Sequence, residues 1–349
     1  SRPTIRIDGT IQAALGDVLL QSLLVEETTL GLFRCEANFL NWGPKNNEVG
    51  FLFFDRQLLD FGKTFSVEFG PVGSAGPVFA GRISGIEAQY PPHRPPELTI
   101  LAEDRFQDLR MERRTRSFED ISDADVMRKI ASQHGLTAQL DVNGPTHRTL
   151  AQVNQSDLAF LRERAAAIDA ELWMDDKTLY AQARARRNSG TATFTYGQNL
   201  IEFTVLADLA HQRTSVQVNG WNVGAKAPIG EKAGESMIAA ELNGGRSGSA
   251  VLATALKPRD EYVALAVPLS QPEAKAMAEA RYRARARSFL RGSGVVDGNV
   301  KLRVGSFIEF GGLGPFFDGR YYVTVARHTF NLRDGYRTTF DVERPGIGG

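Results

Sequence analysis

Several features that would announce a chemistry are missing from this chain of 349 residues. It has one cysteine, Cys35, so no internal disulfide can staple it and no cysteine cluster can hold a metal. The neighbours of Cys35 in LFRCEANF alternate as in a strand, which predicts a buried structural thiol rather than a nucleophile. The five histidines, His93, His134, His147, His211 and His328, include no two within five residues, so no local metal-binding pair exists. No run approaches the ~18 consecutive apolar residues that span a bilayer, and SRPTIRIDGT carries no apolar signal core. An excess of one charge is missing too. Lys+Arg and Asp+Glu each number 41, so nothing draws the chain as a whole to nucleic acid or anionic membrane. The same neutrality leaves little repulsion against self-association and favours an oligomer.

What is present does not converge on a catalytic site. Asp175-Asp176 and Glu26-Glu27 are adjacent carboxylates; on a strand such neighbours face opposite ways, and in a turn they are solvated. Glycosidase chemistry needs two carboxyls across one cleft at a set separation. GGRSGSA around Arg246 lacks the Gly-Lys-Ser/Thr ending of a phosphate loop and reads as a flexible loop, and GGLGP at 311–315 as a hairpin connection. His134 reads as a cation near a helix C-terminus. No catalytic, cofactor or metal residue is assigned, and the chain is expected not to be an enzyme.

With 42% hydrophobic and 23% charged residues, 349 residues suggest two or three globular domains. Residues 1–105 read as short alternating strands separated by Gly, Pro and Asn clusters, the texture of a barrel or sandwich. In PVFAGRISGIEAQY the alternation slips near Ser84-Gly85, and Gly81 and Gly85 suggest bulges. Residues 106–189 read as a compact α+β module. One helix starts at Ser122 and stops at His134-Gly135; a second is capped by Ser156 with Leu158, Leu161, Ala165 and Ile168 inward, and a hairpin turns at Asp175-Asp176. Residues 190–349 return to β texture, with 190–225 and 293–345 forming one region and about 224–270 an insertion, whose glycine-rich part to 249 reads as an insertion or mobile loop. A long helix is expected over 271–291. Ser270 and Glu273 start it, Ala274, Ala278, Tyr282, Ala286 and Phe289 form its apolar face, and Gly292 ends it. Arg283 and Arg287 point away from that face as candidates to meet solvent or a partner, with Arg281 and Arg285 at its edge. Asp297-Gly298, Asp318-Gly319 and Asp334-Gly335 predict tight hairpins.

An ordered set of local patterns resembles the phage late control D family of tail hub proteins and the hub part of the VgrG spike proteins of type VI secretion. Phe79-x-Gly81-x-Ile83 resembles the strand that starts the hub's hairpin. Leu98, Ile100 and Asp104 resemble its return, and Leu109, Arg116 and Phe118 the approach to the first helix, where Asp125, Val126, Ile130 and Gly135 fit. Gln152, Asn154, Ser156, Asp157, Phe160 and Leu161 resemble the opening of the second helix, the most specific of these motifs. The match is good over about 76–175. Ile168-Asp169-Ala170 departs from it, standing where the family has a glycine.

The resemblance implies a mainly β chain with two tail-tube-like β-barrels, an inserted α+β domain and one long helix. It also implies a structural baseplate hub, a homotrimer presenting six barrels between a threefold spike and a sixfold tail tube. Implied partners are the tail tube protein, a spike or spike-tip protein and other baseplate components. The place of assembly is a phage tail or injection particle built from protein made in the cytoplasm, with no cofactor and no membrane binding. Spike proteins continue into a small oligonucleotide-binding-type barrel and a β-helical needle. Here the sequence stops at ERPGIGG, which fits a hub-only chain or one whose spike lies outside this sequence. The alternative from the residues themselves is a nucleic-acid-binding barrel using the arginine-rich helix. The missing aromatic interleaving and the neutral charge count against it.

Overall fold

The computed structural model describes residues 2–45, 47–70, 75–264 and 270–348. The first β region supplies six principal strands: β1 (Thr4–Ile7), β2 (Leu20–Thr28), β3 (Arg34–Leu40), β4 (Thr64–Phe69), β5 (Gly76–Gln89) and β6 (Glu97–Glu103). Alternation in sequence becomes alternation in burial: in β3 Cys35, Ala37 and Phe39 point inward between polar neighbours. The strand order is β2-β3-β6-β5-β4-β1, antiparallel throughout. Ile5, Leu23, Val25, Phe39, Phe65 and Ile100 lie in its core. β5 changes partners along its length. Gly76–Arg82 lie on β4 and Arg82–Gln89 on β6, with the register shift between Ile83 and Gly85 where the sequence predicts a slip.

The α+β module follows as α1 (Phe106–Arg110), β7 (Arg113–Ser122), α2 (Asp123–Gln133), β8 (Thr137–Asp141), β9 (Thr146–Ser156), α3 (Asp157–Ala167), β10 (Ala170–Asp175) and β11 (Thr178–Ala183). Ser122 Oγ accepts the Asp125 N–H and Ser156 Oγ the Ala159 N–H, so both helices start at the predicted caps. Val126, Ile130, Phe160, Leu161, Leu172 and Leu179 build a separate core. Asp169 has φ +55°, the left-handed conformation that favours glycine.

The remainder comprises β12 (Thr191–Thr195), β13 (Glu202–Ala207), β14 (Ser215–Asn222), β15 (Ala227–Gly234), α4 (Gly248–Ala255), β16 (Asp260–Ala264), α5 (Gln271–Arg287), β17 (Leu290–Asp297), β18 (Phe307–Gly311), β19 (Gly319–Asn331) and β20 (Gly335–Arg344). Four expectations are corrected here. β14, expected in the second barrel, instead pairs with β15 and β16 in a separate three-stranded sheet, because its alternation fits any one-sided sheet and only distant pairing chooses. Of the two readings of 224–249, insertion or mobile loop, the mobile loop is corrected: the stretch contains β15 and the Ser247-capped start of α4; residues 265–269 of the expected insertion lie outside the described residues. α5 stops at Arg287, since Leu290–Asp297 are drawn into β17 against β13 and β20. Its Ala274, Ala278, Tyr282 and Ala286 stripe packs on Val216, Val218, Ile229 and Ala233 of the three-stranded sheet, not on a barrel. A second α+β module therefore interrupts the second β region.

That region has the order β13-β17-β20-β19-β18-β12. Counted within each half, both orders are second-third-sixth-fifth-fourth-first. One pairing differs in sense: β1 and β4 are antiparallel, β12 and β18 parallel. β2 joins β19 edge to edge, Ser22–Thr28 against Val325–Asn331, so the halves share one 13-stranded sheet while keeping two cores. Among the described residues the hydrogen-bonded order closes into a ring in neither half, so each is an open sheet rather than the closed barrel expected. Of the three Asp-Gly pairs, Asp334-Gly335 makes the tight β19–β20 turn. Asp318-Gly319 closes a longer β18–β19 loop, and Asp297-Gly298 leads from β17 to β18, which do not pair.

Candidate functional site

The family-motif residues hold parts of the chain together. Phe79 and Ile83 are buried in the first core. Gly81 is required by close approach: a Cβ there would lie 2.2 Å from the Glu103 carbonyl oxygen. Asp104 ends β6 by accepting the Phe33 and Phe106 N–H groups at 2.9 Å each, tying β3 to α1. Burial pushes its carboxyl up to about 7 against those two bonds.

The second motif is a buried clasp. Asp157, fully buried at the first turn of α3, accepts from Arg116 Nη2 (2.6 Å) and Gln152 Nε2 (2.9 Å) and meets His134 Nε2 at 2.8 Å. Gln152 Oε1 in turn accepts from Arg116 Nε at 2.8 Å. Burial opposes the Asp157 charge, but these partners hold its pKa below the usual carboxylate range. His134 thus joins the end of α2 to the start of α3 through a carboxylate. Asn154 has φ +48°, which Asn tolerates, and Phe160 stacks on Phe118 at 5.8 Å.

Two charged networks join the α+β modules. His147, 2% exposed, lies between Asp123 (2.9 Å) and Glu273 (2.5 Å), with Arg164 Nε donating to Asp123 at 2.7 Å. Burial disfavours the imidazolium, but the two carboxylates outweigh it and the His147 pKa is raised. Burial likewise opposes the Glu273 charge, yet hydrogen bonds from His147 and Ser270 bring it down to about 2. Glu273 therefore completes the α5 capping box and reaches into the first module at once.

In the second network Arg287 donates to Asp169 and, at 2.7 and 2.8 Å, to Glu241. The expectation that Arg287 faces solvent or a partner is corrected: it is 2% exposed, because the face of α5 opposite the three-stranded sheet is covered by the first module. Arg283 is half-buried and donates to the Met237 carbonyl and to Glu279. Arg285 pairs with Glu261 at 2.9 Å.

The seam between the β halves is also charged. Glu26 faces outward to Arg34 and Arg327, and Glu27 inward to Arg303, as adjacent strand residues must. A cleft of about 280 Å³ lined by Arg184, Arg186, Arg187, Arg287 and Arg320 has those guanidiniums facing acids: Glu343, Asp141, Glu171, Asp169 and Glu309 respectively. Among the described residues no group of three or more His, Cys, Asp or Glu could hold a metal ion, and no helix is long and apolar enough to cross a membrane. Sequence reasoning missed the His147 and Arg287 networks. The Asp169 departure was the one local sign, and its partner lies more than a hundred residues away.

The sequence profile of the Alg8 N-terminal domain family matches residues 43–331. No curated protein matches the sequence. Among solved structures, the chain is similar over 99% of its length to the 43 kDa tail protein of prophage MuSo2 from Shewanella oneidensis, at 11% identity, 99% of that chain and a TM-score of 0.69. It is similar to the tail protein from Neisseria meningitidis MC58 over 99% of this chain and 97% of that one, at 12% identity and a TM-score of 0.70. The E. coli c3393 protein, a component of the type VI secretion system with structural similarity to T4 tail proteins gp27 and gp5, matches over 99% of this chain and 79% of that one, at 11% identity and a TM-score of 0.62. The mainly β fold is that of the tail-hub proteins.

Proposed function

We propose, for a chain that belongs to the Alg8 N-terminal domain family, the role of structural baseplate hub in a contractile phage tail or injection system. Three copies form a ring that presents six β halves, so that a threefold spike meets a sixfold tail tube. The observation that carries this reading is the strand order repeated in the two halves and their edge-to-edge joint. A ring of three offers six like surfaces only when each chain holds two. We take the halves to be superposable and their outer surfaces to meet the tube protein, with spike and other baseplate proteins as further partners in the assembled particle. The role needs no catalysis. The buried acids and bases of the two networks are engaged with one another and hold the modules in place.

The nucleic-acid alternative loses most of its basis, because Arg283, Arg285 and Arg287 bond within the chain. Sedimentation at micromolar concentration tests the hub, with the chain alone and mixed with the tube and spike proteins encoded beside it. A trimer, alone or in the mixtures, is expected. A strictly monomeric chain in every mixture overturns it.

A further inference from the structure

Among the open sheet edges of the described residues, two have counterparts that are joined to each other within the chain itself. β13 is paired to β17 along one edge only. The Gly85–Gln89 part of β5 is paired to β6 only. In the opposite halves the counterparts of these two edges, β19 and β2, are joined to each other.

The correspondence is residue by residue. Ile83↔Ala102 and Val323↔Val342 precede a register shift, and Gly85↔Leu101 and Val325↔Asp341 follow it, so Ser84 and Thr324 are the same bulge. Before it, Ile83 bonds to Lys63 O (3.0 Å) and Gly62 N (2.8 Å), as Val323 bonds to Ser306 O (2.9 Å) and Gly305 N (3.1 Å). On the other strand, Glu26↔Arg34 corresponds to Leu206↔Arg291, where Arg34 faces Glu103 and Arg291 faces Glu343.

We propose that these edges join head to tail between neighbouring copies, β13 of one lying antiparallel to Gly85–Tyr90 of the next. Transferring the internal register of Val325↔Thr28 to Phe330↔Leu23 gives Gly85↔Asp208, Ile86↔Ala207, Glu87↔Leu206, Ala88↔Val205, Gln89↔Thr204 and Tyr90↔Phe203. The joint deepens the hub reading and rests on it, since a head-to-tail contact must close into a ring rather than run on as a filament. The chemistry fits a second copy of this chain. In the internal seam His328, Phe330, Val25 and Leu23 are buried. At the open edges the corresponding residues are Ala88, Tyr90, Val205 and Phe203, apolar in character, with Ala88 and Tyr90 exposed. Leu206 is also exposed, and Tyr90 borders a further patch of Trp42, Phe51 and Phe54 with ring centroids 4.7–6.3 Å apart. An apolar open edge of this kind is what proteins otherwise blunt with charge or proline.

The test is a cysteine pair, Glu87→Cys with Leu206→Cys, in the full chain. Directly opposed residues of an antiparallel pair lie ~4.5–5.5 Å apart at Cα, within the roughly 4.4–6.8 Å that a disulfide needs. The native Cys35 is buried and its thiol is pushed up by burial, so it stays in place unreactive. Oxidation is expected to give a covalent ladder ending at three chains. Glu87→Cys with Val205→Cys, pointing to opposite faces, is expected to give none. Ala88→Lys, a change at an exposed position, is expected to raise the concentration for assembly by about tenfold or more at an unchanged melting temperature. Assembly by sedimentation without a ladder from the first pair overturns the joint and leaves the hub reading intact. A stronger ladder from the second pair overturns the register. A monomer in every mixture overturns both joint and hub.

Discussion

Replacing Arg287 with alanine tests the junction between the two α+β modules. The guanidinium is 2% exposed and donates to Asp169 on one side and to Glu241 on the other. Truncation leaves two carboxylates facing each other, Asp169 with 11% and Glu241 with 25% of its side chain exposed, and Arg283 at 3.9 Å from Asp169 is the nearby cation that remains to it. Breaking a buried pair by removing one partner costs about 3–5 kcal/mol, whereas an exposed pair contributes ~0–1 kcal/mol. Water reaches Glu241, so the expected loss is near the lower end, about 3 kcal/mol. Urea unfolding followed by tryptophan fluorescence reads it, with Trp173 in the first module and Trp221 in the second. A chain of several units need not unfold in one step, and the variant should separate the two modules' transitions. Arg287→Met combined with Asp169→Asn and Glu241→Gln should recover part of the loss, because no charge is then stranded. A loss below about 1 kcal/mol with unchanged transitions would contradict a clamp between the modules and return Arg287 to a solvent-facing or partner-facing role.

Three further outcomes follow from named contacts. Gly81→Ala places a methyl against the Glu103 backbone and should cost about 2 kcal/mol or more; a melting temperature equal to the parent's contradicts the close approach. Ser156→Ala removes the acceptor for the Ala159 N–H and should cost about 1 kcal/mol, read by urea midpoint. Glu273, with its pKa lowered to about 2, contributes stability fully above its ordinary value of 4.5 and loses it as pH falls toward 2, a contribution of at most about 3 kcal/mol. His147, with its pKa raised, contributes fully below its ordinary 6.5 and loses that contribution as pH rises through its folded value. The stability difference between the parent and Glu273→Gln should therefore be largest between these limits and shrink on both sides; a difference constant from pH 3 to 8 contradicts the network.

Local chemistry made much of the fold legible. Caps at Ser122, Ser156 and Ser270 mark helix starts because a hydroxyl satisfies a nearby N–H wherever the rest of the chain lies. The slip at Ser84-Gly85 is visible because a bulge reverses the alternation within a few residues. What depends on distant partners was not legible. Ser215–Asn222 alternates as well for one sheet as for another, and its true neighbours arrive from 227 and 260 onward. On a helical wheel Arg287 faces away from the apolar stripe, and the wheel cannot show that a second module covers that side. The His147 network has no sequence signature either, since Asp123, His147 and Glu273 come together only when the modules dock.

The most direct measurement is image averaging of the assembled hub without imposed symmetry, at a resolution that separates the two β halves. First and second halves are expected to alternate around one axis at a common radius, six in all from three chains. Halves at different radii, or a ring holding a number other than six, would contradict it.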